Sequence, residues 1–272
     1  MPDIVIHVIA SAAYVGLAWH FWNTRWRRPS ETKGLKGWER AAILVPLLLH
    51  GWLLYDGVFA RELRFGFAQA LSVMMWLGVA LYWVESLFYS LDGMEPLVLP
   101  LAALAAPLPA VFPGLVSSGA HAQAAEFRLH LVLAMAAYSL FVIAVLHATL
   151  MAVVERRLHS KGSAGFFENL PPLLTLEQLL FRIIGAAFAF LTLTLVTGIA
   201  FSEVLFGRAL RFEHKTVFAI LSWLTFGGLL LGRWRYGWRG RTAVRWTLFG
   251  FVLLLLAYVG SRFVLEVVLH RA

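Results

Sequence analysis

Nine histidines and no cysteine set the chemistry open to this chain. Without thiols there are no disulfides, no thiolate metal sites and no thiol relay, so any sulfur chemistry would belong to a partner. What remains is imidazole, which ligates metals, takes the axial positions of haem iron and carries protons. Depth within the apolar runs sorts the nine. His130 and His214 open two of the runs, His270 closes the last, and His7 and His121 fall towards the same side, which gives an outer-face group. Two imidazoles from separate helices suit the two axial positions of one haem, whose apolar body can lie among aromatic side chains. Trp52, Trp76, Trp83, Trp223 and Phe226 are available to line such a site. Solvated interfacial histidines and packing aromatics account for the same residues without any cofactor.

His50 stands about ten residues into its run, roughly 15 Å deep at 1.5 Å per residue. A neutral imidazole there needs a hydrogen-bond partner or a metal, and a polar contact between helices is the alternative to a ligand role. His147 follows His130 by seventeen residues on one helix. That is about 25 Å along the axis, too far for one metal, so His147 reads as a packing residue near the opposite end. His20 and His159 take no role. Glu85, Glu203 and Glu213 lie within or beside apolar runs, and Glu85 is the costliest to bury; polar contact and substrate path stay open for it.

The elements that must position these groups follow from composition. Of 272 residues 60% are hydrophobic and only 14% charged, and the mean hydropathy is +0.76. Those values lie outside the soluble range and predict an all-α, polytopic integral membrane protein surrounded by lipid. About eight spans are expected, over Ile4–Trp22, Ala41–Phe59, Phe67–Tyr89, Pro96–Phe112, Phe127–Val154, Phe181–Phe206, Thr216–Leu231 and Trp246–Leu269. In the fourth, Pro100, Pro107, Pro109 and Pro113 each withhold a backbone donor, which predicts a kinked or re-entrant segment. Thr175 with Gln178 three residues later is a capping-box pattern opening the helix that runs into the sixth span. Met1 to Ser11 has no Lys or Arg before its apolar run, unlike a cleaved signal, so the first helix is expected to remain.

Charge sets orientation. The net charge of +8 is carried by short connections, so the positive-inside rule explains it and nucleic acid is not an expected partner. Arg25, Arg27, Arg28, Lys33, Lys36 and Arg40 fill the first connection, Arg156, Arg157 and Lys161 the fifth, and Arg233, Arg235, Arg239, Arg241 and Arg245 the seventh. Odd-numbered connections are therefore expected to be cytoplasmic. Both termini are then extracytoplasmic, on the periplasmic side of a bacterial inner membrane. No G-x-x-x-x-G-K and no H-E-x-x-H is present, which argues against ATP hydrolysis and a zinc hydrolase.

Several segments together resemble a known family. His130-Leu-Val-Leu-Ala-Met-Ala-Ala-Tyr138-Ser139, Arg182-Ile-Ile-Gly185, Thr192 to Gly198, Ala219 to Phe226, Gly237-Trp238-Arg239-Gly240 and Ala257-Tyr258-Val-Gly260 are similar to segments of cytochrome c assembly proteins of the CcsA and CcmC type. The resemblance covers about residues 41–272, leaving residues 1–40 as a first helix and basic loop. It implies haem handling or presentation at the outer face, with haem, and apocytochrome c or other maturation proteins, as the expected partners beside membrane lipid. By position His50 matches the family's membrane-embedded histidine and His130 its first external haem ligand, while His270 falls within a residue of the second. The family's tryptophan-rich W-x-W-D stretch is replaced by Arg208 to Thr216, and Leu231 stands where a second membrane histidine would be. This is the pattern of the shorter YpjD-like and HemX-like branch. His214 is then the candidate to replace a lost ligand, so His130 and His214 are the expected axial pair. No covalent chemistry by the chain itself is expected. The alternative is a permease-like or scaffold subunit without haem, whose histidines are polar contacts.

Overall fold

A computed structural model describes residues 2–27, 34–59, 64–114, 124–158, 172–206 and 213–269. Helix α1 is Pro2–Phe21 and continues through a wider π-type turn at Trp22–Trp26. It is followed by α2 (Gly37–Phe59), α3 (Phe67–Glu85), α4 (Glu95–Ala105), α5 (Leu108–Val111), α6 (Ala125–Leu158), α7 (Leu173–Phe206), α8 (His214–Tyr236) and α9 (Gly240–Leu255). The last runs on through two further π-type turns to Val268.

Among the described residues six helical stretches are long and apolar enough to cross a membrane: Ile4–Trp26, Phe67–Glu85, Ala125–Arg156, Leu173–Phe201, His214–Tyr236 and Gly240–Val268. The expected count of about eight is therefore reached only in part. α2 has 23 residues, but Glu39, Arg40, His50 and Asp56 dilute its apolar character. The expected fourth span is a shorter apolar stretch, Glu95–Val111. Pro96 starts it, Pro100 sits inside α4, Pro107 stands between α4 and α5, and Pro109 lies in the first turn of α5; none can donate to the preceding turn. The third span ends at Glu85 and the chain turns before Tyr89. α7 begins at Leu173, two residues ahead of the expected cap, with Thr175 N–H already donating to the Pro172 carbonyl.

Helix neighbours divide into two groups. In one, α2 and α4 each pack against both α1 and α3; in the other, α7 and α9 flank α6, with α8 between them, and the α3–α6 contact joins the groups. Hydrogen bonds sort the ends. At one end Arg25 pairs with Glu39, Trp26 donates to the Gly93 carbonyl, Glu177 pairs with Arg233 and Glu155 with Arg241. The basic connections thus share one face of the bundle. Trp19, Trp38, Trp234 and Tyr236 are exposed near it, as aromatic anchors at a membrane interface would be. At the opposite end His7 bonds the Ala106 carbonyl, Gln69 donates to the Phe112 carbonyl, and Phe67 meets Phe263 edge-on.

Lipid tails are as apolar as leucine, so helix association in a membrane rests on close packing and interhelical hydrogen bonds. Both are present. Tyr138 Oη on α6 donates to the Leu254 carbonyl of α9 at 2.7 Å, and Ser222 Oγ on α8 donates to Gly250 of α9 at 2.9 Å. Phe141 and Phe226 stack with centroids 3.9 Å apart. Gly237 takes the left-handed conformation that closes α8, and its N–H and that of Trp238 return to the Arg233 and Gly232 carbonyls. Outward, Val45, Leu48, Leu104, Leu224 and Leu231 are exposed, the apolar surface a lipid-facing bundle needs.

Candidate functional site

His130 lies in the second turn of α6, half-buried against α7. Its Nδ1 is 3.0 Å from Thr197 Oγ1, and the Thr197 hydroxyl donates back to the Leu193 carbonyl at 2.8 Å. With the Thr197 hydroxyl proton directed to the Leu193 or Thr194 carbonyl, the matching His130 tautomer has its hydrogen on Nδ1 and a lone pair on Nε2. Holding one ring nitrogen so that the other faces a ligand is how proteins orient metal-binding histidines. The next residue, Gly198, leaves room for the ring: a Cβ there would come within 3.1 Å of His130 Cε1.

His214 is the first residue of α8 and is exposed at the same end of the bundle. α7 provides a ruler between the two. Trp223 Nε1 on α8 donates to Thr192 Oγ1 on α7 at 2.9 Å, so those residues share a level. From there outwards, His214 is nine residues along α8 and Thr197 five along α7. The difference of four residues puts His214 about 6 Å beyond the His130–Thr197 level. Both residues therefore lie towards the outer end of the bundle. His270, together with His121 and His159, lies outside the described residues, as do positions 208–212 of the replaced tryptophan-rich stretch; the Glu203 side chain does too.

His50 belongs elsewhere. It is fully buried on α2, with Nε2 2.8 Å from Ser72 Oγ on α3 and its ring edge-on to Tyr14 of α1 at 5.9 Å. His50 Nδ1 and Tyr14 Oη have no hydrogen-bond partner. The polar contact between helices is what the fold displays there, with one ring nitrogen left over. The five aromatics proposed as a lining do not gather. Trp76 and Trp83 donate to the Leu47 and Arg40 carbonyls of α2, Trp223 stacks on Phe188, Phe226 packs on Phe141, and Trp52 is exposed on α2. The indole N–H groups of Trp76, Trp83 and Trp223 each have an acceptor on a neighbouring helix, as an indole inside a bundle requires.

Thr197 and Gly198 fall in a segment matched to the family, but only the fold brings them against His130. No group of three or more His, Asp or Glu residues able to hold a bare metal ion occurs among the described residues. A haem needs from the protein only one or two axial imidazoles, and a half-buried ring with its Nδ1 held by a neighbouring helix is chemically suited to that.

Apolar crossings, an arginine-rich face and imidazoles at the opposite end define a polytopic helical membrane protein with its candidate ligand site on one face. The chain belongs to the cytochrome C assembly protein family, whose profile matches residues 38–269. Among its relatives, an "Uncharacterized 28.8 kDa protein in nifR3-like 5'region" of Azospirillum brasilense is 33% identical over 73% of this chain and 76% of its own length. Inner membrane protein YpjD of Escherichia coli (strain K12) is 36% identical over 52% of each chain. Cytochrome c biogenesis protein CcsA of Heterosigma akashiwo (strain NIES-293 / 8280G21-1) is 32% identical over 34% of this chain and 28% of its own. The match thus spans about half of YpjD and under a third of that CcsA. No solved structure matches.

Proposed function

We propose that the chain handles haem at its histidine-bearing face during cytochrome c assembly, with His130 Nε2 as one axial ligand and His214 as the other. The observation that carries this is the Thr197 contact at His130 Nδ1, which suits the tautomer that keeps a lone pair on Nε2. Family membership supports a role in cytochrome c biogenesis. Haem, when bound, supplies the redox chemistry, while His130 and His214 hold it, Thr197 orients the His130 ring, and no residue of the chain makes or breaks a covalent bond. His270 is the reserve second ligand. The arginine-rich face is cytoplasmic by the positive-inside rule, which puts both termini and the imidazoles on the outer side of a bacterial inner membrane. There the chain meets apocytochrome c or another maturation protein. For His50 the bond to Ser72 favours a structural contact over a place on a haem entry route.

The test is the absorption spectrum of the detergent-purified chain with haem supplied. A Soret band is expected, lost in His130→Ala and changed from a six- to a five-coordinate form in His214→Ala. Thr197→Val keeps the imidazole but releases Nδ1, and is expected to weaken haem binding about 10-fold or more, as outer-shell partners of metal-binding histidines do. A Soret band of equal intensity in wild type and His130→Ala would end the assignment and favour the scaffold reading.

A further inference from the structure

Where α3 ends against α6, two buried acceptor atoms face each other. Glu85 Oε2 and His147 Nε2 lie 3.7 Å apart, and neither has a hydrogen-bond partner. The His147 tautomer is set by its other nitrogen: Nδ1 is 2.9 Å from the Ile143 carbonyl, and a carbonyl only accepts, so Nδ1 bears the hydrogen. A neutral His147 therefore turns a lone pair towards Glu85. An ionised Glu85 would answer with another lone pair, leaving two buried polar atoms unsatisfied, each at a cost of about 1–3 kcal/mol. One proton between them resolves both. We propose that Glu85 and His147 form a one-proton site at the seam of the two helix groups, loaded from the arginine-rich side.

The direction of loading follows from exposure. The His147 side chain is 0% exposed and that of Glu85 19%, so the carboxyl is the entry. Glu85 is the last residue of α3, whereas α6 continues eleven residues beyond His147, about 16 Å. The opening is thus beside the end of α3, on the side of the basic connections. Around the pair, Arg40 of α2 donates through Nη2 to the Ser86 carbonyl while its Nε is buried without a hydrogen-bond partner, and Glu95 of α4 accepts from Tyr82. Glu155 of α6 pairs with Arg241 of α9, and Glu177 of α7 with Arg233 of α8. Arg245 of α9 is exposed. The proton comes from water at that face and is held as a carboxylic acid donating to Nε2 or as an imidazolium facing a carboxylate. With the proton present the pair draws α3 and α6 together; without it two lone pairs oppose across the seam. This site is independent of haem, since it touches neither His130 nor His214.

Infrared difference spectra of the full chain in lipid discs, in H2O and D2O, test it. A deuterium-sensitive, pH-dependent proton signal is expected, either as a protonated-carboxyl band or as a carboxylate band coupled to imidazolium, and lost in Glu85→Gln. That variant can still donate its amide N–H to His147 Nε2 and so keeps the fold. In parallel, nitrogen-labelled histidine spectra should show one ring, with its hydrogen on Nδ1, whose Nε2 stops titrating in Glu85→Gln. Identical infrared titrations in wild type and Glu85→Gln would overturn the proposal. So would a Glu85 signal unaccompanied by any histidine resonance that differs between the two, which would make Glu85 a lone buried acid.

Discussion

Replacing Arg25 with alanine is expected to lower the unfolding free energy by about 3–5 kcal/mol, the cost of stranding buried charge. Arg25 stands in the π-type turn that ends α1, with its side chain 2% exposed. Its Nη2 donates to Glu39 Oε2 at 2.9 Å and to the Gly34 carbonyl at 3.0 Å, and its Nε is 3.4 Å from Asp92 Oδ1. Glu39 and Asp92 are themselves buried and take backbone donors from Lys36 and Gly34. One guanidinium thus ties the end of α1, the start of α2 and the turn between α3 and α4. Arg25→Ala leaves both carboxylates without it. The loss should depend on pH in a defined direction. Burial raises the Asp92 carboxyl above its ordinary range, against the pull of the Gly34 N–H and of Arg25. The folded chain therefore binds that proton more tightly than the unfolded chain, and its stability falls as pH rises through the shifted range. Without Arg25 the shift grows, so the deficit of the variant should be largest at neutral pH and shrink on acidification. Denaturant titrations of the detergent-solubilised chain at two pH values decide it; a loss below about 1 kcal/mol at neutral pH would mean that the pair contributes no more than an exposed one.

Phe226→Ala is expected to cost a similar amount, about 3–5 kcal/mol, by opening a cavity that the surroundings cannot close. Phe226 is fully buried at the junction of α6, α8 and α9. Its ring stacks on Phe141 with an interplanar angle of 21°, and Gly250 receives it on the other side, where a Cβ would come within 2.9 Å of the ring. A membrane interior supplies no extra hydrophobic drive between helices, so shape complementarity carries this contact. The same geometry provides a control. Gly250→Ala alone overfills the site and is expected to cost about 1–3 kcal/mol. Combined with Phe226→Ala the added methyl enters vacant space, so the double variant should be more stable than the sum of the singles implies. Strict additivity in thermal unfolding would show that the ring and the glycine do not share one packing site.

His130 and His214 could be singled out in the sequence because each opens an apolar run. The same periodicity placed most of the membrane helices close to where they lie. It counted Pro96–Phe112 as a kinked or re-entrant span, and there prolines within and between α4 and α5 leave an apolar stretch, Glu95–Val111, below crossing length. It also gave His147 no chemistry, because counting along one helix compared it only with His130. Its partner, Glu85, is sixty-two positions away on another helix.

Composition and the spacing of the apolar runs made this a helical membrane protein, and the excess of Lys and Arg in alternate connections set its expected orientation, because a chain in lipid must satisfy its backbone within each span and charge collects where water returns. Which nitrogen of His130 meets Thr197, that His50 is bonded to Ser72, and that Glu85 meets His147 were decided by the tertiary structure. A hydrogen bond between helices depends on rotation and depth of both partners to within an ångström or so, and neither is written in the residue types of either helix.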